Sequence, residues 1–136
     1  MVALLDSVAV AGFLDRDDAF HAAADARVRE LAGRDTLIVS VITYAELLTG
    51  AGLGHHAQSA VRGFFDQLID EIYSVDRAVA ERAAQLRSQT PSLKMPDALI
   101  LATADLRDAD LVVTGDNRWS GVDIGARVDV LVAKTL

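Results

Sequence analysis

The chain has 136 residues, 51% of them hydrophobic and 24% charged, the balance of a globular unit forming one domain, residues 1–136. It has no cysteine, which excludes a disulfide framework and a thiolate metal centre and makes a reducing cytoplasm the expected compartment. A net charge of −7 and a pI near 4.7 argue against broad electrostatic capture of nucleic acid. Either there is no nucleic-acid substrate, or one is held at a metal-filled acidic site with local basic help.

In chain order, Val2 to Leu5 is a short apolar run that reads as the first, central strand, ending at Asp6. The segment to Leu14 lacks a basic leading region and carries Asp6 in its middle, so no signal peptide is expected. No apolar run approaches a membrane span. Ser7 to Leu14 reads as a small helix with Ser7 as its N-cap. A second helix is expected from Asp17 or Asp18, with Phe20, Ala24, Val28 and Leu31 on one face and an end near Gly33. Thr36 to Val39 is a second buried strand, and Ser40 caps a helix with Val41, Tyr44, Ala45 and Leu48 as its apolar stripe. Glu46 lies well off that stripe, and Gly50, Gly52 and Gly54 break the helix.

Val61, Phe64, Phe65, Leu68, Ile69 and Ile72 follow helical spacing and predict a helix from about Ala57 to Asp70. A third strand is expected over Ile72 to Val75, then a helix capped by Asp76 with Val79, Ala83 and Leu86 inward. After a Thr90-Pro91-Ser92 loop, Pro96 suits the first position of a largely buried helix carrying Leu99, Leu101, Ala102 and Leu106. Leu111 to Val113 is a short buried strand left by the turn Thr114-Gly115-Asp116, and Val128 to Leu131 a last strand at the sheet edge. The alternation predicts an α/β fold, a three-layer α/β/α sandwich with a central, mostly parallel five-stranded sheet. Right-handed crossovers place every strand's C-terminal end on one edge, so Asp6, Glu46, Asp97 and Asp116 gather at one rim.

Each acid also has a plainer reading. Asp97 in the first turn of a helix favours its dipole, and Asp116 is a normal turn residue. Ser7 and Thr114 serve equally as cap and turn. Arg118 and Lys94 border the rim as phosphate contacts or as solvated surface, and Trp119 reads as a packing anchor rather than a base-stacking platform. His55-His56 are adjacent rather than four apart and read as solvated. Gly50-Ala51-Gly52-Leu53-Gly54 follows a helix and lacks the dinucleotide pattern; there is no P-loop and no G-x-S-x-G. Asp6 as an aspartyl-phosphate nucleophile would want a second Asp two residues on, where Val8 stands. What remains is a set of hard oxygen donors suited to Mg²⁺ or Mn²⁺, which would polarise a phosphoryl oxygen and activate water. Phosphodiester hydrolysis is the natural inference. The competing reading is a non-catalytic acidic module that docks a basic peptide.

Leu4-Leu5-Asp6-Ser7, the helical Glu46, Asp97 to Ala104, and Val113-Thr114-Gly115-Asp116-Asn117-Arg118-Trp119 together resemble the PIN domain, specifically the VapC-type toxins of bacterial toxin–antitoxin pairs. The resemblance spans essentially the whole chain. It implies a Mg²⁺- or Mn²⁺-dependent endoribonuclease acting on structured RNA such as tRNA or rRNA, partnered by a VapB-type antitoxin whose basic segment blocks the same acids. By position, Asp6 and Asp97 would be the main metal ligands, with Asp116 and Glu46 completing the site directly or through water. Ser7 and Thr114 match the hydroxyl positions that orient ligands or water. Val8 departs from the family's frequent Ser or Asn, so a polar supporting contact is expected to be missing. A homodimer is expected from the resemblance and from Phe64 and Phe65, of which one is expected to lie outside the monomer's own core.

Overall fold

The four residues Val2–Leu5 form β1, and their burial explains the rest of the layout. Ala3, Leu4 and Leu5 are completely buried although successive side chains leave opposite faces of a strand, so both faces of the sheet are covered. The computed structural model describes residues 1–134. In chain order it contains β1, α1 (Ser7–Leu14), α2 (His21–Ala32), β2 (Thr36–Ser40), α3 (Val41–Gly52), α4 (Gln58–Leu68) and β3 (Glu71–Tyr73). These are followed by α5 (Arg77–Gln89), α6 (Met95–Leu106), β4 (Leu111–Thr114), a 3₁₀ turn (Asn117–Gly121) and β5 (Arg127–Val130).

All strand pairs are parallel, in the order β3-β2-β1-β4-β5. The α/β/α arrangement is therefore as expected, with β1 central and β5 at the edge. Alternate strand residues feed two cores. Ala3, Leu5, Leu37, Val39, Leu111 and Val113 pack with α1, α2 and α4, whereas Leu4, Ile38 and Val112 pack with α5 and α6. The order reverses between β1 and β4, and a crevice outside the carboxyl ends of the strands at such a point is where ligands bind in open α/β sheets. Leu5 pairs with Val113, and the Asp6 N–H donates to the Val113 carbonyl at 3.0 Å, so the turns leaving β1 and β4 lie side by side.

Several local expectations need correction. Asp6, not Ser7, caps α1: its carboxylate accepts the Ala9 N–H at 2.8 Å. The second helix begins at His21 because Asp15 and Asp18 close tight turns instead, accepting the N–H groups of Asp17 and Phe20 at 2.9 and 2.7 Å. In α3 the buried residues are Thr43 and Leu47, and Ala45 is exposed. Tyr44 instead meets the Phe65 ring edge-on at 4.8 Å. That helix runs through Gly52 and turns at Gly54, whose φ of 84° suits glycine. β3 starts at Glu71, one residue early, and Pro96 is the second rather than the first residue of α6. Leu106 lies at the exposed end of that helix. Phe64 and Phe65 are both buried, stacked edge-on at 5.5 Å, so neither is left over to signal a partner surface.

Candidate active site

Asp6 stands where β1 passes into α1 and is almost fully buried. Its Oδ1 accepts the Ala9 N–H at 2.8 Å. Its Oδ2 accepts the Thr114 hydroxyl at 2.5 Å and the Gly115 N–H at 3.3 Å. Burial nevertheless wins over these three donors and, with a small push from Asp97, raises the carboxyl to about 6. Thr114, the last residue of β4, also accepts the Asp116 N–H at 3.0 Å, so one buried hydroxyl ties Asp6 to the next turn. Asp116 caps the 3₁₀ turn through the Arg118 N–H at 2.9 Å.

Asp97 lies in the first turn of α6 and is half-buried. Burial raises its carboxyl, as do the charges of Asp116 and then Glu46; Arg118 and Lys94 oppose the shift. This coupling places Asp97 in the field of the other acids. Glu46 projects from the exposed side of α3 and accepts the Ser7 hydroxyl at 2.5 Å, so Ser7 bridges α1 to α3. Arg118 grips Asp116 with both arms of its guanidinium, Nε to Oδ1 at 2.9 Å and Nη2 to Oδ2 at 2.7 Å. That contact holds the Asp116 carboxyl below the usual range.

The structure thus brings Asp6, Ser7, Glu46, Asp97 and Asp116 onto one depression of about 130 Å³ at the C-terminal rim, with Thr114 beneath it. Every donor in this set is an oxygen, the type Mg²⁺ and Mn²⁺ prefer. The residues fit such a cation in kind. As placed, no three carboxylate or imidazole side chains among the described residues converge on one point. Asp116 is turned to Arg118 and Glu46 to Ser7.

Two participants escape a reading of the acids alone. The Gly115 N–H is a ligand of Asp6, and a Cβ at Gly115 would stand 2.3 Å from Val8 Cγ1 and 3.3 Å from the Phe20 ring. Val8 therefore packs the β1 turn against the β4 turn by apolar contact, at the position where the family often has Ser or Asn. The tight Gly in a turn was the available signal. Ile100 lines the depression as well, and its place one helical turn after Asp97 was the clue. Trp119 is buried in the α5–α6 core as expected of an anchor, yet it also forms part of the site wall. Lys94 is the N-cap residue of α6, close enough for its charge to act on Asp97, but its side chain makes no capping bond. His55 and His56 lie away from the site at the α3–α4 turn, with His55 exposed.

Comparison with solved structures returns Rickettsia felis VapBC2 bound to a DNA fragment from its promoter, 18% identical with a TM-score of 0.78, covering 97% of this chain and 100% of that one. A Klebsiella pneumoniae toxin–antitoxin complex is 28% identical with a TM-score of 0.68, covering 88% and 91% respectively. Mycobacterium tuberculosis VapC20, a toxin that cleaves the sarcin–ricin loop, is 18% identical with a TM-score of 0.66, covering 92% and 98%. No curated protein matches the chain. The family model of the PIN domain matches residues 3–125, from β1 to beyond the 3₁₀ turn, and so takes in every residue of the acidic rim. On that match the chain belongs to the PIN domain family.

Proposed function

We propose that this PIN domain, residues 1–136, is a Mg²⁺- or Mn²⁺-dependent endoribonuclease and the toxin of a VapC-type toxin–antitoxin pair. The observation that carries the reading is the shared depression of Asp6, Glu46, Asp97 and Asp116 at the point where strand order reverses. The bound cation would polarise the phosphoryl group and activate water. The chain's own part is to hold the donors ready. Thr114, Ala9 and Gly115 fix both oxygens of Asp6, the α6 N-terminus presents Asp97, and Ser7 orients Glu46. Ile100 and Trp119 supply an apolar wall that limits water at the reacting phosphate. The Klebsiella pneumoniae toxin–antitoxin complex, 28% identical, supports a VapB-type antitoxin, and the RNA substrate proposed with it is tRNA or rRNA.

A basic antitoxin segment would suit this rim, since Asp116 already accepts a guanidinium through both oxygens. The non-catalytic docking module is thereby folded into the same reading as its inhibited state. We assign the protein to the cytoplasm; among the described residues no helix is long and apolar enough to cross a membrane. A homodimer remains the default for such a chain, with sedimentation velocity as its check.

Purified protein should cleave RNA with Mg²⁺ or Mn²⁺ and stop with EDTA. Asp97→Asn should keep the fold by circular dichroism and lose roughly 100-fold or more in rate, as expected when a ligand of a catalytic cation is neutralised. Full activity in that variant would sink the assignment.

A further inference from the structure

Of the four rim acids, Asp116 is the one that a basic side chain grips among the described residues. Arg118 stands two residues on, in the same 3₁₀ turn. Its backbone N–H and its Nε both reach Oδ1 at 2.9 Å, and Nη2 reaches Oδ2 at 2.7 Å. Three donors thus sit on a carboxylate that lines the acidic depression, two of them from a guanidinium in the short, two-armed form that is strongest between arginine and carboxylate. The same charge reaches Asp97, where it opposes the push of Asp116 and Glu46. The two partners differ in exposure. The Asp116 side chain is 21% exposed and held by its turn, whereas Arg118 is 71% exposed and approaches from the solvent.

We propose that Arg118 is a built-in antagonist of the divalent cation: its guanidinium occupies Asp116 while the depression is without metal, and must let go for metal to bind. The inference rests on the cation of the nuclease reading and adds how the site is held before that cation arrives. The sign follows from charge. A dication at Asp116 would share one carboxylate with a guanidinium, and like charges at that separation repel. The opposite role, in which Arg118 orients Asp116 as a ligand, does not need its side chain. The backbone N–H of residue 118 already fixes Oδ1, and would do so with any side chain but proline there. With the guanidinium in place, moreover, no three carboxylates among the described residues converge on one point. Because the pair faces solvent, water screens it, and its hold on the site is modest, about two- to fivefold in metal affinity.

Titration calorimetry with Mn²⁺ on the full, EDTA-stripped chain, at one pH and one salt concentration, tests this. Arg118→Gln keeps the backbone cap and removes the guanidinium, and should tighten Mn²⁺ binding about two- to fivefold. In an Asp116→Asn background the same substitution should gain clearly less, because only the field at Asp97 is left to remove. A direct readout is the Arg118 Nε–H resonance, followed by NMR and identified by its loss in Arg118→Gln. It should shift as Mg²⁺ is added, with the midpoint of Mg²⁺ binding. Circular dichroism checks that each variant is folded. Should Asp116→Asn fail to fold or bind too weakly to titrate, the Nε–H resonance decides in its place. Unchanged or weaker Mn²⁺ binding by Arg118→Gln overturns the proposal. So does an equal gain in both backgrounds, or an Nε–H resonance that stays in place while Mg²⁺ saturates the chain. Wild type that binds Mn²⁺ and cleaves RNA would in those cases keep the nuclease reading intact. No Mn²⁺ binding by either wild type or Arg118→Gln removes the antagonist and the cation together.

Discussion

At the scale of single residues, burial and crowded charge make the acidic depression costly to keep fully ionised. Asp6 is raised to about 6 by burial, and Asp97 is raised by burial and neighbouring acids. Both are therefore protonated more readily in the folded chain than in the unfolded one, so their contribution to stability is present at low pH and lost as pH rises through the folded values. Asp116 and Asp105 are held below the ordinary range, so they begin to cost stability only at lower pH. Metal-free protein should melt highest near about pH 5 and progressively lower toward about pH 7.5. Asp97→Asn should flatten that decline, raise the neutral-pH melting temperature in EDTA and shrink the shift produced by Mn²⁺; scanning calorimetry across the pH series checks all three. Metal affinity should rise as Asp6 ionises through about pH 6, which titration calorimetry reads directly. Gly115 makes a separate prediction. Gly115→Ala drives a methyl into Val8 and should cost about 1–3 kcal/mol in urea unfolding. Val8→Ala combined with it removes the 2.3 Å clash but leaves the Val8 Cβ at 3.0 Å, and should recover part of that loss, a coupling that two independent sites would not show. The four acids were legible in the sequence as a set, because Asp6 and Asp116 follow strands, Asp97 opens a helix and Glu46 lies off the stripe of its own, which places all four at the carboxyl rim. Val8 was legible only as an anomaly, because no local pattern reveals which residue faces a glycine across a crevice.

At the scale of elements, three capping side chains, two buried and the exposed Asp76, decide where helices begin. Asp6, Ser40 and Asp76 start α1, α3 and α5 by accepting the N–H groups of Ala9, Ile42 and Val79 at 2.8, 3.1 and 2.9 Å. Ser40 is wholly buried, so Ser40→Ala should destabilise by about 1 kcal/mol, the usual worth of an N-cap. Chemical denaturation is the check, and a loss below a few tenths would mean that Ile42 finds another acceptor. The caps at Ser40 and Asp76 could be read from sequence because each directly precedes an apolar helical pattern. Ser7 misled for a physical reason: two adjacent side chains could cap, and only the tertiary pull of Glu46 assigns the hydroxyl elsewhere. The stripe of α3 misled because the helix lies over the carboxyl end of the sheet, where Thr43 and Leu47 face inward and Ala45 faces out. Periodicity gives the width of a buried face but not its centre when several small apolar residues compete.

At the scale of the whole molecule, the alternation of strands and helices revealed a parallel sheet, but the order β3-β2-β1-β4-β5 could not be read, since burial patterns say which faces are covered and not by which neighbour. On the proposed nuclease reading, the charge of −7 would set the character of RNA binding. Arg118 and Lys94 are the cations whose charges reach the Asp97 carboxyl, so few phosphates should be neutralised at the rim. With about two such contacts, log affinity should fall with log salt at a slope near −1.4 for single-stranded RNA. KM measured across a KCl series tests this, and a much steeper slope would reveal a basic surface elsewhere. The sheet's margins carry a further consequence. One margin, β3, is only three residues long and starts with exposed Glu71; the other, β5, carries Arg127 and an Asp129 held by Arg27 at 2.7 Å. Short or charged borders are poor templates for strand addition. A partner chain, or a second copy of this one, has little backbone ladder to join, and must seat its own residues on helical faces or in the carboxyl-end crevice.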